Sequence, residues 1–124
     1  MPRRFTAFLA VLAVLFVARA ASADSAARAE RQKEHEAKIV DSLQQKSPEA
    51  VVPFLRARKA EESNDAATAA AEYGKVLELV PDFTPAMRRR AIALDEMGQR
   101  ADALDLARKA VKKDGSAENE MSLA

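Results

Sequence analysis

The chain is predicted to be all-α, a short helical-repeat solenoid of about two helix-turn-helix units preceded by an extended helix, and three observations lead there. An echo of 34 residues runs in register from Arg56 to the last residues: adding 34 carries Arg56 to Arg90, Ala57 to Ala91, Glu62 to Glu96, Ala67 to Ala101, Ala69 to Ala103, Lys75 to Lys109 and Met87 to Met121. Breakers recur at the same offset, Asn64 with Gly98 and Pro81 with Gly115. Between the breakers, apolar residues return every three or four positions, the period of a helix with one buried face.

The first 23 residues read as an export signal and not as a piece of the fold. Arg3 and Arg4 make a cationic start, Phe5 to Ala18 is almost unbroken apolar sequence, and Ala21-Ser22-Ala23 offers the small-x-small pattern of a signal-peptidase site. The run is shorter than the roughly 18 apolar residues of a membrane span. An uncleaved anchor is the alternative, left open by Arg19, and a second cleavage position follows Ala20. Cleavage after Ala23 removes three arginines and no acid, so the formal charge falls from +1 to −2 and the mature chain carries no basic excess. There is no cysteine, which excludes disulfides, thiolate metal sites and a lipidated cysteine. This composition suggests a bacterial periplasmic or extracellular protein with no stable membrane span after cleavage.

The remaining segments follow in order. Residues 24–47 form a charged helix, free of glycine and proline, with apolar bulk only at Ile39, Val40 and Leu43, so its second half is expected to dock and its first half to stay solvated. Residues 48–115 hold two repeats. Ser47-Pro48-Glu49 resembles a capped helix start, but Pro53 argues for a turn at 48–51 and a helix from Pro53 to Ser63. After the Asn64-Asp65 turn, a helix from Ala66 to Leu79 carries Ala69, Tyr73, Val76 and Leu77 on one face, and Pro81 ends it. Thr84 as cap and Pro85 open a helix from Ala86 to Met97 with Met87, Ala91 and Leu94 in a stripe. Gly98 turns the chain into a helix from Arg100 to Lys113, whose apolar positions are Ala103, Leu106, Ala107, Ala110 and Val111. Asp114-Gly115-Ser116 is expected to break it, leaving 116–124 as a tail or the start of a third repeat at Met121.

On these residues the chain resembles the tetratricopeptide-repeat family, built of 34-residue helical hairpins. In the first unit the family's small residues fall on Ala57 and Ala69, its aromatic on Tyr73, its third small position on Val76 and its closing proline on Pro81. In the second, Met87 stands for the tryptophan, Ala91 for the small residue and Leu94 for the tyrosine, followed by Ala103, Ala107 and Ala110. Arg56 and Arg90 stand where the family places leucine, Ala107 where it places an aromatic and Gly115 where it places proline. The resemblance implies a concave groove lined by the first helix of each unit, to which Arg58, Glu61, Arg88, Ile92 and Asp95 would contribute, and a protein or peptide partner.

Nothing in the sequence assembles a catalytic constellation. His35, the only histidine, lies in the most polar helix, and the adjacent pairs Glu61-Glu62 and Asp95-Glu96 diverge around a helix instead of converging on a metal. Glycines are too few for a phosphate loop, and the mature charge does not suit nucleic acid. Arg88-Arg89-Arg90 is expected to be a solvated helix face with one arginine packed across its neighbour. The expectation is therefore a non-catalytic interaction module or adaptor without cofactor or metal. The alternatives are a self-associating structural protein and the N-terminal part of a longer repeat protein.

Overall fold

The computed structural model describes the backbone of residues 3–123 and the side chains of residues 21–115. Among the described residues there are five helices and no strand: α1 (Arg3–Lys46), α2 (Pro48–Glu62), α3 (Ala66–Leu79), α4 (Thr84–Glu96) and α5 (Arg100–Leu123). The chain divides into two units, Met1–Lys38 and Ile39–Ala124.

In the first unit α1 runs without a break through Ala23, the expected cleavage position, and the side chains from Ala21 to His35 are exposed. The apolar side chains of Phe5 to Ala18 lie outside the described residues. Among the described residues, no helix is long and apolar enough to cross a membrane.

The second unit begins with the last turns of α1, where Leu43 is fully buried and Ile39 and Val40 are partly so, at the point where apolar bulk first appears in the sequence. From α2 onward each helix packs against the next, α2 on α3, α3 on α4 and α4 on α5. The core is built mainly from small residues, Ala50, Ala57, Ala60, Ala69, Ala70, Ala86, Ala93 and Ala103, which let the helices approach closely. Phe54 sits at its centre and meets Tyr73 and Phe83 edge-on, at 5.6 and 6.1 Å between ring centroids. Such pairs add about 0.5–1.5 kcal/mol to the burial of the rings.

The two hairpins turn in the same way. After α2, Asp65 N–H donates to Ala60 O and Asn64 N–H to Glu61 O; after α4, Gln99 N–H donates to Leu94 O and Gly98 N–H to Asp95 O. Every partner is displaced by 34 positions. This is the Schellman arrangement, which satisfies otherwise orphaned carbonyls and needs one residue in the left-handed region. Asn64 (φ 55°) and Gly98 (φ 83°) are those residues, and both types tolerate that conformation. Asp65 then caps α3, accepting from Thr68 N–H at 3.1 Å.

Three expected boundaries differ. α2 starts at Pro48 and carries Pro53 inside it, with no turn at 48–51. Burial explains this, since Ala50, Pro53, Phe54 and Ala57 all face the core only if the helix is continuous. Ser47 stands at the N-cap position without a side-chain cap bond. Thr84 is likewise inside α4, and Phe83 takes the N-cap position because its ring is drawn into the aromatic cluster. Finally, α5 continues through Gly115 to Leu123 and is not broken at Asp114-Gly115-Ser116. Glycine costs only about 1 kcal/mol in a helix interior, whereas the proline that ends α3 in the first unit removes a donor and clashes. The side chain of Met121, expected to open a third unit, lies outside the described residues.

Candidate functional site

Four of the five residues expected to line a partner groove border two adjoining depressions that share Ile92. Glu61 and Ile92 border a depression of about 310 Å³ between the α2–α3 turn and α4, together with Asn64, Arg89 and Glu96. Arg88, Ile92 and Asp95 border a larger groove of about 880 Å³ along α4 and α5. Arg58 lines neither; it is half-buried on α2.

Glu61 is already engaged from within the fold. Its Oε1 accepts from the Tyr73 hydroxyl at 2.8 Å, and Arg89 Nη1 approaches its Oε2 at 4.0 Å. Burial pushes the Tyr73 phenol well above its ordinary 10.0; the Arg89 hydrogen bond opposes this, and the Glu61 carboxylate adds to the rise. The Arg89 guanidinium also lies over the Phe54 ring, 5.5 Å from its centroid, a contact worth about 0.5–1 kcal/mol where water reaches it. Arg90 reaches further back, its Nε donating to Ala70 O at 3.2 Å, with the guanidinium against Gly74. Two of the three consecutive arginines therefore cross onto the preceding hairpin, one more than the sequence suggested. The pattern of charges gave no sign of this, because the carbonyl and ring they contact belong to other helices.

The larger groove is the clearest surface feature of the second unit. Its walls are Ala91 and Ile92 from α4, with Ala103, Leu104, Ala107 and Val111 from α5. Ile92, Leu104 and Val111 are 61, 51 and 68% exposed, unusual for branched aliphatic side chains side by side. An ion pair closes each end: Arg88 with Asp114 at one, Asp95 with Arg100 (3.7 Å) at the other. Of these residues only Arg88, Ile92 and Asp95 were expected at a site. Val111 was assigned to the apolar face of α5, but the side it faces is open.

Subtracting 34 shows what the groove is. Ile92, Leu104, Ala107 and Val111 correspond to Arg58, Ala70, Tyr73 and Leu77, and in the first hairpin that face receives α4. Arg90 on Ala70 and Arg89 on Glu61 and Phe54 are the contacts that cover it. The groove is the stacking face of the second hairpin, and among the described residues no further helix packs against it.

Among the described residues no three His, Cys, Asp or Glu side chains gather as a metal site. No protein-family model matches the chain, and neither a curated protein nor a solved structure matches it.

Proposed function

We propose that this chain is an exported, non-catalytic protein-binding module built on tetratricopeptide-like repeats, acting in the periplasm or outside the cell. The observation that carries this reading is the recurrence of the whole turn hydrogen-bond set at an offset of 34 residues, since equal hairpins stacked in series make extended surfaces suited to a peptide or protein. The partner surface is the α2/α4 side, where Glu61, Arg89, Ile92 and Glu96 present mixed charge beside an exposed aliphatic side chain. Both signs within one shallow depression favour a partner selected by local charge complementarity.

A photo-reactive crosslinker placed at Glu96 and, as a control, at Glu78 tests this in the producing cell. The reading predicts a discrete adduct with a protein other than a second copy of this chain from Glu96, and none from Glu78. Adducts absent from both positions, or equal from both, contradict it. Export is tested separately by the mass of the mature chain, which should begin at Asp24, or at Ala21 if the earlier position is cut.

A further inference from the structure

We infer that the open face of α4 and α5 pairs with the same face of a second copy of this chain, related by a two-fold axis crossing the helices at mid-length. This surface adjoins the α2/α4 depression and shares Ile92 and Glu96 with it, but the inference does not rest on the partner proposed there.

Charge is what selects the occupant. The four corners of the groove alternate in sign: Arg88 and Asp95 on α4, and Asp114 and Arg100 on α5, with Arg88 beside Asp114 and Asp95 beside Arg100. Opposite charges placed evenly about the middle of each helix are complementary to a copy of themselves turned about that middle. When a second copy is laid face to face with its helices antiparallel, Arg88 meets the other copy's Asp95, and Arg100 meets the other copy's Asp114. All four contacts are attractive, and none leaves like charges opposed.

The apolar residues obey the same axis. Midway between Arg100 and Asp114 lies Ala107, whose small side chain lets two α5 helices approach, and Leu104 and Val111 flank it at nearly equal distances in sequence. Antiparallel pairing about Ala107 therefore sets Leu104 of each copy against Val111 of the other. On α4 the midpoint of Arg88 and Asp95 falls beside Ile92, so the two isoleucines meet near the axis. The three most exposed branched side chains of the face are those this arrangement covers.

Sedimentation equilibrium of the full chain across the micromolar range reads the association, with circular dichroism confirming that each variant is folded. The wild type should self-associate, and Leu104→Arg should weaken association by about tenfold or more. Asp95→Arg together with Arg100→Asp keeps the ion pair within each copy but opposes like charges between copies, so it should weaken association similarly. Adding Arg88→Asp and Asp114→Arg restores alternation and should restore association. A wild type that stays monomeric throughout overturns the inference, including the case in which a different protein occupies the face. So does association unchanged by Leu104→Arg, as contact through α1 alone would give, or a folded four-fold variant that fails to recover.

Discussion

Tyr73 and Ala107 hold the same place in successive hairpins, yet one is at the centre of the core and the other lies in an open groove. Around Tyr73 the first hairpin has Phe54 and Phe83 edge-on, a hydroxyl tethered to Glu61, and the arginines of α4 laid across it. Around Ala107 the second hairpin has exposed Ile92, Leu104 and Val111. The backbone of the two turns is bonded alike, so among the described residues the difference lies in side chains and in whether a further helix packs on the face. A stacked unit is finished by its neighbour: equal hairpins differ in stability and in stickiness according to what covers them.

The comparison can be broken most forcefully at Phe54. Truncating Phe54→Ala should cost about 3–5 kcal/mol in denaturant unfolding, whereas Ile92→Ala in the open groove of a dilute monomer should cost less than about 0.5 kcal/mol. Glycines sharpen it next. Gly98→Ala forces a side chain into the left-handed region and should destabilise by about 1–2 kcal/mol. Gly115→Ala, inside α5 with open space around its Cβ position, should stabilise by up to about 1 kcal/mol.

Tyr73 supplies a smaller effect with a defined pH window. Burial raises its folded pKa above the ordinary 10.0, so the stability it contributes is complete below pH 10.0 and is lost as the pH rises beyond it. It is the only tyrosine, so phenolate absorbance should appear together with loss of helix. Tyr73→Phe should cost about 1 kcal/mol near neutrality and flatten this alkaline loss. Smallest is Asp65. Its hydrogen bonds from Thr68 hold its carboxyl below the usual 3.8, so the cap is intact above that pH and lost as the pH falls further. Asp65→Asn should remove this acid dependence while leaving the α3 start in place.

The all-helical class, the two joints at Asn64 and Gly98 and the bounds of α3 were legible in the sequence, because each rests on a local signal: period, breaker or cap. Pro53 and Gly115 were misleading for a shared reason. Their local cost is about 1–3 kcal/mol, and neither a buried face that needs a continuous helix nor the absence of a competing breaker is visible at one position. The expected groove residues were only partly joined. Glu61 carries no sequence mark of the tyrosine and arginine that hold it, and the stripe of Leu104, Ala107 and Val111 reads like a core face, although no described helix packs against it.

The central claim is that one face is covered in the first hairpin and open in the second. Arginine introduced at equivalent positions tests it directly, by urea unfolding of Ala70→Arg and Leu104→Arg in dilute solution. Ala70 is 5% exposed beneath Arg90 and Leu104 is 51% exposed. The account predicts a loss of about 2–4 kcal/mol for the first and less than about 0.5 kcal/mol for the second. Equal losses at the two positions, or a larger loss at Leu104, would contradict it.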